Sequence, residues 1–214
     1  MTNDFSLVAR NLECIRGTRA LFTDLTFSVQ SKQMLLLEGR NGSGKTSLLR
    51  MLCGIRLPDA GSVKWCGEDI FKLGAEYREY FCYVGHKDAI KQDLTPYENL
   101  RIAQVLGNSR FDRSIDEALE QFGLYGYEDL LTRNLSAGQQ RRLSLARLVV
   151  TDSPLWLLDE PFTSLDRDGI KIVQDVMAGH IETGGMIILT THHKVDLEGP
   201  GLQRIDLSQC ISDR

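Results

Sequence analysis

The sequence predicts an α/β fold: a mainly parallel sheet with helices, combined with an N-terminal antiparallel β subdomain and an inserted helical subdomain. Residues 155–158 and 186–189 are apolar runs of strand length, typical of parallel strands that are buried on both faces. Residues 5–12 partly alternate and residues 25–29 cleanly alternate between apolar and polar, which favours antiparallel strands ahead of the core. Residues 87–150 carry helical patterns and no convincing strand.

Length and composition fit a single globular domain. The chain has 214 residues, of which 42% are hydrophobic and 25% charged, so it can bury an ample core. We expect one domain over 1–214, in which 1–86 and 151–214 form the α/β core with its β subdomain and 87–150 form the helical subdomain. No apolar run approaches the roughly 20 residues of a membrane-spanning helix, and no signal-peptide pattern opens the chain. We therefore expect the protein in the cytoplasm.

Charge and cysteine usage exclude several classes of protein. The net charge of −4 and pI of about 5.6 argue against broad binding to nucleic acid or anionic lipid. The five cysteines show no C-x-x-C or C-x-x-C-H spacing, so they support neither a zinc ribbon nor dithiol redox chemistry nor covalent haem attachment. Reduced, mostly buried thiols are the expectation.

Short elements complete the first half of the core. They are, in chain order, a strand over 34–37, a helix over 47–53, a strand over 62–65 and a strand over 81–84. Pro58 and Gly61 predict a turn before the third of these, because proline presets φ and glycine closes the turn.

The remaining elements have helix-start and helix-stop signals. Thr95 is the expected cap of a helix with Pro96 at its first position and Glu98 closing a capping box. This helix should run to about Leu106 and stop at Gly107. The other expected elements are a helix from Asp112 to Phe122 with Gly123 as its stop, a helix from Ser136 through Val149, a helix capped by Asp166 through about Gly179, and a last strand over 202–207.

A glycine-rich segment over 39–46 fits the pattern G-x-x-x-x-G-K-[ST], the P-loop of nucleotide-binding proteins. It lies between a predicted strand and a predicted helix, which is the context that this motif requires. Its backbone N–H groups can surround phosphate oxygens, Lys45 can reach the β- and γ-phosphates, and the Thr46 hydroxyl can ligate Mg²⁺. The alternative is a glycine-rich turn before an ordinary helix. The residues predicted to bind nucleotide here are Gly39, Arg40, Asn41, Gly42, Ser43, Gly44, Lys45, Thr46 and Ser47.

Four further segments accompany the P-loop in a fixed order. Residues 158–160 look like a Walker B strand with its catalytic glutamate, and residues 135–139 resemble the signature usually written L-S-G-G-Q. Residues 164–166 resemble a D-loop, and His192 follows an apolar strand as a switch histidine does. Over nearly its whole length the chain resembles the ATPase subunit of an ATP-binding cassette (ABC) transporter. The resemblance implies a P-loop NTPase core and hydrolysis of ATP with Mg²⁺.

The Walker B acids have a physical rationale within this resemblance. Asp159 carries a charge that can hold Mg²⁺ or its waters beside the phosphates. Glu160 can orient or deprotonate the attacking water, and Lys45 and His192 are the other residues to which the resemblance gives a catalytic role. The imidazole of His192 can hydrogen-bond a γ-phosphate oxygen. The alternative for Glu160 is a solvated charge at a strand end.

The signature implies a site shared between two chains. The Ser136 hydroxyl and the helix-start N–H groups can bind a γ-phosphate, and Gly138 allows close backbone approach. In the family that phosphate lies on the partner's P-loop, so the resemblance implies a homodimer with Gln139 and Asp166 also at the nucleotide. The alternative for Ser136 is a simple helix cap, and one residue can serve both roles.

Two positions depart from the family pattern. Most members place an aromatic residue before the P-loop to stack on adenine, whereas this chain has Arg16 in the segment 14–17. Its guanidinium can stack on the base, or it can be a solvent-facing residue of a turn. His86 stands where the family usually has the Q-loop glutamine. It is a candidate Mg²⁺ ligand, and it is also a candidate for coupling to membrane subunits.

These departures and several short motifs are typical of one subfamily. Gly85-His86, the run 136–142, Trp156 before the Walker B acids, and Gly184-Gly185 before the last apolar strand resemble the ATP-binding subunit of the haem exporter of bacterial cytochrome c maturation. That resemblance implies integral membrane subunits as partners, a peripheral position on the cytoplasmic face of the inner membrane, and release of a haem-loaded periplasmic chaperone. No direct haem ligation is expected.

Three other functions stay open from the sequence. The chain can belong to a different ABC importer or exporter, which the identity of its membrane subunit would decide. A soluble ABC ATPase of DNA repair or translation is opposed by the lack of a coiled coil or second cassette and by the acidic pI. A nucleotide-binding module without hydrolysis is opposed by Glu160, whose replacement is the usual route to inactivity.

Overall fold

A computed structural model describes residues 4–107, 113–192, 197 and 201–210. The strands are β1 (Ser6–Arg16), β2 (Arg19–Gln30), β3 (Met34–Glu38), β4 (Ala60–Trp65), β5 (Glu68–Asp69), β6 (Phe81–Val84), β7 (Leu155–Asp159), β8 (Met186–Thr190) and β9 (Leu202–Asp206). The helices are α1 (Lys45–Leu52), α2 (Ile70–Leu73), α3 (Pro96–Leu106), α4 (Ile115–Gln121), α5 (Ala137–Val150) and α6 (Arg167–Glu182). Short 3₁₀ turns cover Glu76–Tyr80, Thr132–Asn134 and Leu207–Gln209.

The strands form two sheets, one antiparallel and one parallel. The antiparallel sheet has the order β2-β1-β4-β5 and the parallel sheet the order β6-β7-β8-β3-β9. Every pairing in the second sheet is parallel, so the carboxyl ends of its strands meet at one edge. The predicted α/β fold class, with an antiparallel β portion ahead of the core and helices without strands between β6 and β7, is confirmed for the described residues.

The parallel sheet separates two hydrophobic cores because successive side chains of a strand point to opposite faces. Leu155 and Leu157 of β7 pack into a core shared with α1 and the antiparallel sheet. Trp156 and Leu158 pack on the other face, among residues of α3, α4, α5 and α6. Every residue of β7 and β8 is buried, which explains why these two strands are apolar without alternation.

The predicted helix caps at Thr95 and Ser136 are confirmed. The Thr95 hydroxyl accepts from the backbone N–H of Glu98, whose carboxylate accepts in turn from the Thr95 N–H. Ser136 and Gln139 form the same reciprocal pair at the start of α5. Each box satisfies donors that a helix start otherwise leaves unpaired, so these boundaries could be predicted to the residue.

Other boundaries differ from the prediction. Helix α4 begins at Ile115 with Ser114 as its cap, whereas the predicted cap, Asp112, lies outside the described residues. Strand β1 continues beyond residue 12, because register shifts after Ala9 break the alternation without ending the pairing with β2. Helix α6 runs three residues past the predicted end, since Gly179 is accommodated within the helix. The short elements β5 and α2 were not predicted.

None of the helices in the described part of the chain combines the length and the apolar character that crossing a bilayer requires.

A stacked pair of rings, the buried Trp156 and the half-buried His180, joins helix α6 to strand β7. The His180 ring stacks on Trp156 with centroids 3.7 Å apart and planes within 6°. Its Nε2 lies 3.2 Å from the carbonyl oxygen of Pro154, so the neutral ring donates from Nε2. Gly185 lies directly against the His180 ring, so a Cβ at position 185 would overlap the imidazole. Burial lowers the pKa of His180 to about 4.

We expect this histidine to make folding stability depend on pH. Since its unfolded pKa is about 6.5 and its folded pKa is lower, the unfolded chain binds more protons between these values, and stability falls as pH falls. The expected loss between about pH 7.5 and about pH 5 is about 2 kcal/mol, measured by urea unfolding. His180→Gln should remove most of that loss, whereas His86→Gln, at an exposed position, should retain it. An unchanged slope in His180→Gln would contradict this assignment.

Candidate nucleotide-binding site

The P-loop follows β3 directly and runs into α1, and its backbone requires glycine at two points. Gly39 has φ 135°, and a Cβ there would lie 2.7 Å from the Ser43 hydroxyl oxygen. Gly44 has φ 102°, and a Cβ there would press against the Phe22 ring at 3.1 Å. Only glycine adopts such a backbone readily and fits these contacts, so the loop can curl with its N–H groups facing inward.

Lys45 closes the loop on itself. Its ammonium donates to the carbonyl oxygens of Gly39 at 2.7 Å and Arg40 at 3.4 Å. Burial lowers the pKa of Lys45 below its ordinary value, while the carboxylates of Glu160 and Asp159 act in the opposite direction. A bound polyphosphate would offer this buried cation better acceptors than two neutral carbonyls.

The hydroxyl of Ser43 lies buried inside the loop and makes no hydrogen bond to any described residue. A buried polar atom without a partner normally costs about 1–3 kcal/mol, so its presence indicates a ligand. The loop curled around this hydroxyl and the lysine beside it fit a phosphate chain. ATP fits the site on these grounds.

A continuous chain of hydrogen bonds links the P-loop to the ends of β7 and β8. The Thr46 hydroxyl donates to Asp159 Oδ2 at 2.9 Å. The Thr190 hydroxyl donates to Asp159 Oδ1 at 2.9 Å and accepts from the Glu160 N–H at 3.0 Å. Because β7 and β8 are parallel neighbours, Asp159 and Thr190 are paired in register, so the sheet itself sets this arrangement.

The donor set suits Mg²⁺. Thr46 and Asp159 offer hydroxyl and carboxylate oxygens, the ligands that a hard cation prefers. Within the described ranges, no cluster of three or more His, Cys, Asp or Glu side chains forms a closed metal cage. A site with one or two protein oxygens is typical of Mg²⁺ that also holds nucleotide phosphates and waters.

Glu160 lies at the turn after β7 and contacts the segment after β8. Its Oε2 accepts from the His192 backbone N–H at 2.9 Å, and its Oε1 lies 3.2 Å from His192 Nε2. The backbone of Glu160 has φ 53°, in the left-handed region that non-glycine residues seldom adopt. Such strain is typical of residues held in place for function. Thus the structure brings together Lys45, Thr46, Asp159, Glu160 and His192.

The signature segment lies apart from the P-loop of its own chain. Ser136 is exposed and caps α5, and a Cβ at Gly138 would lie 3.0 Å from the carbonyl oxygen of Ser164. Asp166 caps α6 by accepting from the Gly169 N–H at 2.8 Å. Across the residues that the structure describes, no hydrogen bond or ion pair joins 135–139 to 39–46. Within one chain, the signature segment and the P-loop are therefore separate.

The two departures from the family pattern lie at the edges of this region. Arg16 is exposed at the end of β1, where it pairs with Arg19 across a hairpin. The backbone of the neighbouring Ile15 is hydrogen-bonded to the side chains of Arg56 and Asp59. The structure therefore leaves both the stacking role and the turn role open to this arginine.

His86 is exposed in the loop that follows β6, the strand beside β7. Its assignments to Mg²⁺ binding and to coupling both remain predictions.

Sequence reasoning did not single out Thr190 and Arg141. Thr190 is fully buried at the end of an apolar strand, and a hydroxyl in that position was the available signal. Arg141 is also buried, and on α5 it shares a helical face with Leu145 and Leu148. A charged residue on an apolar face was the signal for Arg141.

Comparison with protein families and known proteins identifies relatives of this chain. The ABC transporter family model matches residues 22–163. The cytochrome c biogenesis ATP-binding export protein CcmA of Nitrosomonas europaea is 48% identical over 203 residues, covering 94% of this chain and 95% of that protein. The proteins of the same name from Dechloromonas aromatica and Vibrio vulnificus are 47% and 43% identical, each over 94% of this chain and 99% and 98% of theirs.

Solved structures agree on the fold. An ATP-binding subunit of an ABC transporter superposes with a TM-score of 0.79 at 25% identity, covering 87% of this chain and 79% of the other. A putative ABC transporter ATP-binding protein from Pyrococcus furiosus gives a TM-score of 0.83 at 19% identity, covering 97% and 100%. The second likeness bears on the fold alone.

Together, the loop, the paired acids and the signature helix define an ABC-type ATPase that binds ATP with Mg²⁺. The chain belongs to the ABC transporter family, among the cytochrome c biogenesis ATP-binding export proteins.

Proposed function

We propose that this chain is the ATP-hydrolysing subunit of a haem-exporting membrane complex of bacterial cytochrome c maturation. The observation that carries the proposal is the similarity of nearly the whole chain to proteins named for ATP-binding export in cytochrome c biogenesis. In this proposal the chain works on the cytoplasmic face of the inner membrane, and its hydrolysis powers release of a haem-loaded periplasmic chaperone. The chain itself ligates no haem.

The P-loop end of the site is proposed to bind the phosphates. Lys45 would exchange its two carbonyl acceptors for phosphate oxygens, and the buried Ser43 hydroxyl would gain a partner. Thr46 and Asp159, which hydrogen-bond each other in the free protein, would hold Mg²⁺. When bound, the ion neutralises charge that develops on the phosphoryl oxygens.

Glu160 is proposed to orient the attacking water and accept its proton. Its carboxylate is nearly buried, with 11% of the side chain exposed, so few waters compete for it. The His192 backbone N–H donates to that carboxylate at Oε2, whereas Oε1 makes no hydrogen bond to any described residue. The His192 imidazole, whose Nε2 lies 3.2 Å from Oε1, is proposed to turn toward a γ-phosphate oxygen once nucleotide is bound. The contact with Glu160 supports the view that these two residues act as a unit.

The second half of the site is proposed to come from another copy of the chain. Ser136 and Gly138 are surface-accessible at a helix start that does not contact its own P-loop, and a helix start attracts phosphate. A two-fold homodimer would bring each signature segment to the partner's P-loop and form two equivalent sites. Gln139 and Asp166 would lie at the same interface.

A groove beside the His86 loop is proposed to receive the membrane subunits. It lies between β6, an edge strand, and α3, and its apolar lining includes Phe81, Tyr83, Ile102 and Leu106. Leu106 is 80% exposed, which is unusual for a large apolar side chain. Basic residues also line the groove, namely Arg78, Lys91 and Arg147. An amphipathic helix with acidic residues on one side would complement this surface.

We expect Glu160→Gln to bind ATP but to hydrolyse it at least about a hundredfold more slowly than the wild type, because the amide cannot accept the proton from water. Trapped ATP should then hold two chains together, which light scattering would detect as an ATP-dependent dimer. Adding Ser136→Arg should keep the double variant monomeric, because the bulky cation occupies the phosphate-facing helix start. Near-normal turnover in Glu160→Gln would remove the catalytic assignment, and a dimer that survives Ser136→Arg would contradict the shared site.

The haem-export assignment is tested by what the chain binds in the membrane. We expect a tagged chain, isolated from solubilised membranes of a cytochrome c-producing bacterium, to carry integral membrane proteins whose loss abolishes c-type cytochromes. Leu106→Glu should reduce the recovery of these membrane proteins, because it places a negative charge on the apolar lining of the groove. The matched control is Val105→Glu at the preceding position of α3, which is exposed but does not line the groove and should leave the recovery unchanged. Recovery of a transporter that is unrelated to c-type cytochromes would favour the alternative of a different ABC complex.

A further inference from the structure

Arg141 is a buried arginine to which neither the predicted site nor the proposed function gives a role. It lies on α5, one turn after the signature, and only 2% of the residue is exposed. A guanidinium has five N–H donors, and an arginine that is buried this deeply must satisfy them within the protein.

All five donors are satisfied, and none of the acceptors lies on α5. The acceptors are the carbonyl oxygens of Pro161, Gly85, Asp159 and Glu160 and a carboxylate oxygen of Asp88, at distances between 2.7 and 3.2 Å. Three of them belong to the last residue of β7 and the turn that follows it, and two belong to the loop that follows β6. One side chain therefore joins the signature helix, the Walker B turn and the His86 loop.

The bond to Glu160 is the shortest of the five, at 2.7 Å. It reaches the carbonyl of the residue whose φ is 53°, a conformation that is strained for a non-glycine residue and persists only where surrounding contacts impose it. Arg141 binds the carbonyls on both sides of that residue as well, those of Asp159 and Pro161. These three bonds fix the turn from which the Glu160 carboxylate projects.

Three hydrogen bonds join the start of the loop after β6 to helix α5, one of them from Arg141 to the Gly85 carbonyl. The Asp88 carboxylate pairs with Arg141 at 2.8 Å, and the Asp88 carbonyl accepts from the Ser144 hydroxyl at 2.7 Å. Arg141 and Ser144 are three residues apart, so they project from the same face of α5. A displacement of the loop that carries His86 would therefore pull on the arginine that holds Glu160.

We propose that Arg141 is a positioning residue that sets the Glu160 carboxylate for hydrolysis and transmits the position of the His86 loop to it through Asp88. The inference rests on the proposed catalytic role of Glu160. Because none of the Arg141 hydrogen bonds reaches the P-loop, we expect its replacement to lower the rate of hydrolysis without weakening the binding of ATP.

The test compares Arg141→Lys with Arg142→Lys in the purified full chain. Lysine keeps the charge of Arg141 but lacks the planar fork, so it cannot bind three diverging carbonyls. Arg142 donates to the carbonyls of Phe122 and Gly123, within the helical part alone, and is the matched control. We expect Arg141→Lys to lower kcat at least about tenfold with KM for ATP changed less than about threefold, because small misplacement of a catalytic group is costly.

Rates are expressed per site that binds a fluorescent ATP analogue, so that loss of folded protein does not register as loss of kcat. Arg142→Lys should stay within about twofold of wild type by this measure. A kcat for Arg141→Lys within about twofold of wild type would overturn the proposal, and so would a KM that rises as much as kcat falls.

Asp88→Asn tests whether the His86 loop acts on Glu160 through the contact between Asp88 and Arg141. It also provides a second test if the Arg141→Lys protein does not fold. The amide keeps the shape of the carboxylate but loses its charge, so we expect a smaller fall in kcat, about threefold or more, again without a matching change in KM. Full activity in Asp88→Asn would remove the connection to the His86 loop. Glu160→Gln, measured in parallel, keeps the two hypotheses apart: if it is inactive while Arg141→Lys is fully active, only this inference fails.

Discussion

The arrangement of the candidate site depends on the two hydrogen bonds of the Thr190 hydroxyl. This hydroxyl donates to Asp159 and accepts from the N–H of Glu160, and thereby fixes the two acids relative to each other. Asp159 also accepts a hydrogen bond from the Thr46 hydroxyl of the P-loop, and Glu160 accepts one from the His192 backbone N–H. A single buried threonine thus connects the elements that are proposed to bind phosphate, Mg²⁺ and water, and it does so where three parallel strands end side by side.

The fold makes this contact possible by burying the strands on both faces. With β7 and β8 covered by two cores, their register is fixed by packing, and polar groups are admitted only at their carboxyl ends. Helix α5 is anchored to the carboxyl end of β7 through Arg141, while Ser136, the cap at its own start, is exposed. This helix therefore has an inner side connected to the candidate site and an exposed start.

Features that depend on neighbouring residues could be predicted from the sequence, whereas contacts between distant residues could not. The P-loop, the capping boxes at Thr95 and Ser136, and the buried strands could be predicted because each depends on neighbours within a few residues. The full length of β1 was missed because register shifts break its alternation. The contacts of Thr190 and Arg141 could not be predicted, since they depend on partners between 18 and 56 residues away. Those distant contacts also determine the backbone of Glu160, which no local pattern indicates.

The most direct test of the account is the ATPase rate of Thr190→Val beside that of Thr190→Ser, each per ATP-binding site. Valine has nearly the same shape but leaves an Asp159 oxygen and the Glu160 N–H buried without this partner, and each such loss costs about 1–3 kcal/mol. The account predicts that Thr190→Val loses about tenfold or more in kcat and that Thr190→Ser, which keeps the hydroxyl, retains most of it. Wild-type turnover in a folded Thr190→Val protein would contradict it.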